Sequence, residues 1–405
     1  MKKIILTGGG TAGHVTPNMA LIPRLQEAGF DILYVGSYEG IEKKLIMKEG
    51  IPYRGISSGK LRRYFDLRNF TDPFRVLKGF GEAASIIKEF QPDIVFSKGG
   101  YVSVPVVRAA GMKHIPVVIH ESDMTPGLAN KLSYGAATKI CCNFPETFDL
   151  LPKDKAVLTG SPIRAELLSG DKEKARELTG FPEDKPVLLV IGGSLGSRAV
   201  NEAVRRDLPA LLQEFSVLHL CGKGNLDESL AGTKDYLQFE YVSEELKDYF
   251  ALADIMVSRA GANSICEILA LRKPNVLIPL SAKASRGDQI LNARSFENQG
   301  YSLVLEEENM NDQSRMDAVH KVWSDRETYI SAMQQSHAGN GVDNVMRLIL
   351  SLTADTSEEA QEEVPEEVPE EAPEAGSETA PEEASDEPSA EPSEAPSEES
   401  PEESR

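Results

Sequence analysis

Short, mostly apolar runs alternate along the chain with longer stretches whose apolar residues recur every three to four positions. In the first half the runs fall at residues 3–7, 32–35, 53–56, 94–96, 117–120 and 140–142. Helical patterns lie between and after them, at 14–28, 41–49, 73–90, 102–110 and 126–134. Continuous rather than alternating apolar runs mark strands covered on both faces, and a strand–helix rhythm marks a parallel sheet. The rhythm restarts with strands at 187–191, 217–220, 238–239, 255–257, 275–278 and 302–305, and helices at 198–213, 244–251, 264–271 and 289–299. A polar, charged break near residues 165–185 separates the halves, and helical patterns at 310–324 and 342–352 close the periodic part. The pattern predicts an α/β protein of two doubly wound, Rossmann-like domains, at 1–164 and 165–353, with a cleft between them. Open parallel sheets bind ligands at the carboxyl ends of their strands, so two facing sheets imply one shared site.

Composition changes this picture at one end. The 405 residues carry a net charge of −21, but 21 acidic residues and one arginine lie between Asp355 and Arg405. The preceding part is nearly neutral, so the acidity says nothing about its substrate. Residues 354–405 repeat Glu, Pro, Ser and Ala without an aromatic, and are expected to be a disordered tail. The four cysteines, Cys141, Cys142, Cys221 and Cys266, lie in apolar or helical stretches without C-x-x-C or zinc spacing. They are expected to be reduced and buried. The apolar run at 4–6 is too short for a signal peptide, and no window approaches the ~18 apolar residues of a membrane span. Any membrane contact is therefore expected to be peripheral.

Three glycine-rich or small-residue turns carry the candidate chemistry. In "TGGGTAGHVTPNMAL", Gly8, Gly10 and Gly13 spell G-x-G-x-x-G between a strand and a helix. Such a turn suits a dinucleotide, which also wants an acidic residue at the end of the second strand, and Glu39 stands near that place. His14 follows at a helix start, where the helix dipole favours a neutral ring that can act as a base. The alternative is a capping or packing histidine. His120, at a strand end, is a second candidate. The turn "VIGGSLGS" offers Gly192, Gly193, Ser194 and Gly196 to a diphosphate. In "SRAGANSICEILA", Glu267 either closes a capping box with Ser264 or accepts hydrogen bonds from a ribose diol. Asp288, Gln289 and Asn292 cluster at the next helix start and suit sugar hydroxyls. The chain has no D-x-D and no cluster with metal spacing. Charge on a leaving diphosphate is therefore assigned to helix ends and arginines, with no metal or other cofactor.

These motifs, together with "SKGGYVSVPVVRAA", "HESDMTPGLANKLS", "TGSPIR" and "GDQILNA", closely resemble the MurG family of bacterial glycosyltransferases over residues 1–350. The resemblance implies a GT-B fold and inverting transfer of N-acetylglucosamine from UDP-GlcNAc to the C4 hydroxyl of lipid I, the lipid-linked muramyl-pentapeptide. It implies an acceptor-binding first domain and a UDP-GlcNAc-binding second. Thr11, Ala12, Gly13 and Asn130 would lie at the donor sugar. Arg164, Ser194 and the loop Ala262, Asn263, Ser264, Ile265, Cys266 would hold UDP. Catalytic roles fall to His14 as base and to Glu267 on the ribose. Val242 would face uracil and Gln289 the sugar. It turns the first glycine loop from a dinucleotide towards the acceptor's diphosphate. Two departures stand out: Ala12 replaces a glycine, removing positive-φ freedom there, and "SAKASRGDQ" differs from the family's run.

A lipid acceptor would require a membrane face. The stretch from Lys60 to Phe80 mixes basic and aromatic residues and is expected to meet anionic lipid at the cytoplasmic face. A nucleic-acid partner is not expected, because the neutral body lacks a positive excess. Rival readings are another GT-B enzyme on UDP-sugars, such as a glycolipid glycosyltransferase or a UDP-GlcNAc 2-epimerase, and a non-enzymatic UDP-sugar sensor.

Overall fold

Seven parallel strands build the first sheet of the computed structural model. They are β1 Lys3–Thr7, β2 Asp31–Ser37, β3 Tyr53–Ile56, β4 Ile94–Ser97, β5 Val117–Glu121, β6 Lys139–Cys142 and β7 Ala156–Leu158, in the order β3-β2-β1-β4-β5-β6-β7. A second sheet holds β8 Val187–Ile191, β9 Ser216–Leu220, β10 Tyr236–Phe239, β11 Ile255–Ser258, β12 Asn275–Leu277 and β13 Leu303–Val304, in the order β10-β9-β8-β11-β12-β13. Residues 1–59, 72–193, 196–283 and 287–354 are described; the acidic tail, Ser194 and most of the predicted membrane stretch lie outside them. In both sheets the order reverses beside the first strand. The crevice at that reversal is where doubly wound sheets take ligands.

Strands β1, β4 and β8 are apolar almost throughout because helices cover both faces, and Ile4, Ile5, Leu6, Leu189 and Val190 are fully buried. The break at 165–185 is not featureless. It holds the helix Lys172–Thr179, capped by the Asp171 carboxylate on the Glu173 and Lys174 amides (2.9 and 3.0 Å) and ended by Gly180 at φ +66°.

The expected assignment of residues 165–353 to the second lobe needs one correction. The final helix Gly341–Leu352 returns to the first lobe. Its Val345, Met346 and Ile349 join Ile4, Leu21 and Leu25 in one buried cluster. Asn344 donates to the Thr159 carbonyl at 2.9 Å, and Asp343 pairs with Arg24 at 3.0 Å. The apolar stripe of this helix covers a face that the helix Thr16–Glu27 leaves partly open. Ile349→Ala should cost about 2–5 kcal/mol, the range for emptying a packed aliphatic site. Hydrogen exchange checks it: protection should fall in β1 and in Thr16–Glu27 and hold in β8.

Candidate active site

Three cavities run together along the facing sheet edges. The first, about 200 Å³, is an apolar slot between Ile191, Leu220, Val242, Leu246, Phe250 and Met256, with Ser264 and Glu267 at its mouth. The second, about 580 Å³, follows the turn after β8 past Gly192, Gly193, Gly196 and Ser197 to Arg259, Ser264 and Gln289. The third, about 290 Å³, crosses to the other lobe and is lined by Thr11, Gly13, His14, Ser122, Asp123 and the helix start at Ala262, Asn263 and Ser264. Neighbouring cavities share Ser264, so one continuous trough leads from the slot to His14.

Each turn has a local cause. After β8 the chain must reverse sharply beneath β9. Gly196 stands at φ +76°, and a Cβ there would lie 2.1 Å from the Cys221 carbonyl, so only glycine fits. Ser197 caps the helix Arg198–Glu214 and receives a hydrogen bond from Arg259 Nη2 at 2.6 Å. The Arg259 guanidinium also bonds the Ile278 and Pro279 carbonyls, both at 3.0 Å, and pairs with Glu307 at 2.6 Å. It thereby ties the glycine turn to the ends of β11 and β12. Sequence reading missed Arg259; its place within the loop of small residues from Ser258 to Ser264 was the available signal.

The helix Ala262–Leu271 starts at Gly261 without a side-chain cap. Ser264 therefore lies inside the first turn, and the capping-box reading of Glu267 is excluded. Glu267 is half-buried at the slot's mouth. Burial pushes its carboxyl up to about 7, against the pull of the Arg164 guanidinium. The buried Nε of Arg164 has no hydrogen-bond partner among the described residues. Ile265 and Cys266 point into the core, so only their backbone faces the trough. Burial pushes the Cys266 thiol up to about 12, which makes it inert. Gln289 accepts from the Leu280 amide at 3.0 Å.

Across the trough, His14 ends a single 3-10 turn, Ala12–His14. Its Nδ1 lies 3.1 Å from the Gly9 carbonyl and 3.2 Å from the Thr11 hydroxyl. Burial, and then the Lys98 cation, hold the ring below the usual histidine range, so it is neutral near pH 7. Ala12 is absent from the residues with positive φ, and its methyl costs no backbone strain. The amides of Gly9 and Gly10 donate to the Gly99 carbonyl and the Glu42 carboxylate, at 3.3 and 3.2 Å. These two amides are spent within the protein, which corrects the expectation that the loop's N–H groups point at an anion.

Other candidates take supporting places. His120 is fully buried, with Nε2 2.9 Å from the Gly160 carbonyl and Nδ1 2.7 Å from Lys98 Nζ. Both ring nitrogens are engaged, so it is no base for the trough. Lys98 also donates to the Ser122 hydroxyl, and burial lowers its ammonium to about 8. Asn130 is buried behind the floor, donating to Glu121 at 2.9 Å and to the His120 carbonyl at 3.2 Å. Asn292, expected at sugar hydroxyls, is instead fully buried between the lobes. It accepts from the Met124 amide at 3.1 Å and reaches Asp123 and Ala260. Asn263 donates to the Gly13 carbonyl across the cleft at 3.1 Å.

Two facing parallel sheets, a slot closed by a carboxylate and a glycine turn leading to a neutral histidine define a sugar-nucleotide-dependent glycosyltransferase of the two-lobed GT-B class. The chain belongs to glycosyltransferase family 28, whose N-terminal domain matches residues 4–142 and whose C-terminal domain matches residues 187–349. A protein of Lachnospira eligens named UDP-N-acetylglucosamine--N-acetylmuramyl-(pentapeptide) pyrophosphoryl-undecaprenol N-acetylglucosamine transferase is 63% identical over 349 residues, 86% of this chain and 99% of its own. A Clostridium botulinum protein of the same name is 59% identical over 353 residues, 87% of this chain and 100% of its own. The crystal structure of Acinetobacter baumannii MurG has a TM-score of 0.69 at 26% identity, over 87% of this chain and 100% of that one.

A nucleotide whose ribose hydroxyls donate to Glu267, as expected from the sequence, should hold it ionised, because a carboxylate accepts hydrogen bonds more strongly than the protonated acid. Binding should therefore strengthen as pH rises through about 7 and level off above it, by up to about tenfold per pH unit on the acid side. Calorimetry with UDP-GlcNAc, the donor expected from the sequence, checks this, and Glu267→Gln should bind more weakly with the dependence flattened.

Proposed function

We propose that this chain transfers N-acetylglucosamine from UDP-GlcNAc to the C4 hydroxyl of undecaprenyl-diphosphate-linked N-acetylmuramyl-pentapeptide, with inversion. The observation that carries the reading is the continuity of the trough from the apolar slot, past Glu267, to His14. The names of the near full-length relatives support it.

Uracil enters the slot beside Val242, and Glu267 receives the ribose hydroxyls. The diphosphate lies along the glycine turn after β8, where backbone dipoles and the N-terminus of the helix Arg198–Glu214 meet its charge. The N-acetylglucosamine ring extends past Gln289 towards Thr11, Ala12 and Gly13. Neutral His14 takes the proton of the acceptor hydroxyl through Nε2. The hydroxyl oxygen bonds to the anomeric carbon on the face opposite the diphosphate. The anomeric carbon–oxygen bond breaks, and its electron pair leaves with UDP.

The acceptor is a lipid, and the helix Asp72–Phe90 has features that suit its membrane. Phe74 and Leu77 are 75% and 69% exposed, beside exposed Arg75 and Lys78, while Phe80 packs against the core. Among the described residues no helix is long and apolar enough to cross a membrane. We assign this face to the cytoplasmic surface of the cell membrane, with contact that is peripheral.

Labelled UDP-GlcNAc with a short-chain lipid I analogue tests the reaction: disaccharide product supports it, and turnover without acceptor would mark an epimerase. In this assay His14→Ala should lower turnover at least about 100-fold with UDP affinity retained, the usual scale for a general base. Phe74→Asp combined with Leu77→Asp should weaken sedimentation with anionic vesicles by about tenfold or more, while turnover of a water-soluble acceptor holds.

A further inference from the structure

Glu42 is the second residue of the helix Ile41–Lys48 and is fully buried, although Ile41, Lys43 and Lys44 beside it are exposed. Three donors reach it: the Ser37 amide at 3.0 Å, the Ser37 hydroxyl, and the Gly10 amide at 3.2 Å. Its space is reserved by glycines. A Cβ on Gly9, Gly36 or Gly40 would lie 2.6, 2.8 or 2.1 Å from its side chain. The peptide link whose N–H is held by Glu42 has the Gly9 carbonyl at its other end. That carbonyl lies 3.1 Å from His14 Nδ1.

We infer that Glu42 is a positioning residue for the transfer step, acting on His14 through the Gly9–Gly10 peptide. The carboxylate holds the peptide N–H and polarises the link, since hydrogen bonds in series strengthen one another. The carbonyl, made a better acceptor, holds the Nδ1–H tautomer. Nε2 is left as the nitrogen that takes the acceptor hydroxyl's proton. As the ring becomes imidazolium, its Nδ1–H donates more strongly along the same line to the buried negative charge. The arrangement does what a carboxylate bonded directly to a histidine does, with one peptide interposed. Other charges also face the ring: Lys98, from the end of β4, opposes its protonation, and Asp123, after β5, favours it.

The inference rests on His14 being the base, and the test separates the two. The measurement is kcat against pH at saturating UDP-GlcNAc, where the titration of Glu267 drops out, with a water-soluble lipid I analogue. Glu42→Gln keeps the shape and removes the charge. It should lower kcat about tenfold or more, leave the KM for UDP-GlcNAc within about twofold, and move the acid limb to lower pH, because imidazolium loses a stabilising charge. Glu42→Asp, which keeps the charge, should return the limb towards its wild-type position. An unmoved limb in Glu42→Gln, with His14→Ala inactive, overturns the relay and leaves the base reading standing; a fully active His14→Ala overturns both. Should Glu42→Gln not fold, nitrogen-15 NMR of wild-type histidines decides, with the His14 signal assigned by its loss in His14→Gln. The Nδ1–H tautomer supports the relay, and the Nε2–H tautomer overturns it.

Discussion

Two parallel sheets share one cavity only while the angle between them is fixed, and the buried amide of Asn292 is central to fixing it. Its oxygen accepts the Met124 amide of the first lobe, and its nitrogen reaches the Ala260 carbonyl of the second. A buried amide left without partners costs roughly 1–3 kcal/mol, so sliding one lobe against the other is penalised. Around it, Phe144 and Phe296 meet edge-on at 6.0 Å, and Ser295 donates to Glu146 at 2.7 Å. The atoms that Asn292 bonds are neighbours of the site itself. Met124 follows Asp123 beneath His14, and Ala260 precedes the helix that carries Glu267.

Charge within this junction is sorted by partnership. The Lys98 cation is buried against His120 and Ser122, and the nearby Glu121 carboxylate favours its charged form. Arg259 is surrounded by carbonyls, Ser197 and Glu307. These groups are saturated and build the floor. His14 and Glu267 instead face open space with shifted ionisation, one held neutral and one raised to about 7. Perturbed groups at a cavity, rather than those locked in networks, are where function concentrates.

The central strands were legible because burial on both faces leaves an apolar run, and β1 and β8 fall at the residues the pattern predicts, as does the half-exposed edge strand β3. Elements without that signature escaped. Strand β7 is a partly exposed edge of three residues, and the helix Lys172–Thr179 buries little besides Ala175. The stripe of Gly341–Leu352 announced a buried helix, but periodicity cannot say which lobe covers it; that depends on the open space beside Thr16–Glu27. The site divides in the same way. Glycines and His14 sit in turns, and Glu267 in the helix that follows one, so local sequence could nominate them as candidates. Glu42, Lys98 and the place of Asn292 depend on contacts 22 to 168 residues away, which no local pattern encodes.

The first glycine turn shows why a motif alone misleads. A dinucleotide site needs G-x-G-x-x-G to leave room for a pyrophosphate and an acidic side chain after the second strand to point outward at a ribose. Here Glu39 is exposed. The carboxylate that follows β2 and reaches the loop is Glu42, and it turns inward onto Ser37 and Gly10. Glycine at 9, 36 and 40 then makes space for a protein carboxylate rather than for a ligand's phosphate. With the Gly9 and Gly10 amides occupied, the loop cannot cradle a diphosphate through them. What it can do is hold a histidine at the mouth of the trough that runs to the apolar slot. The same glycines that suggested a cofactor thus set the geometry of His14.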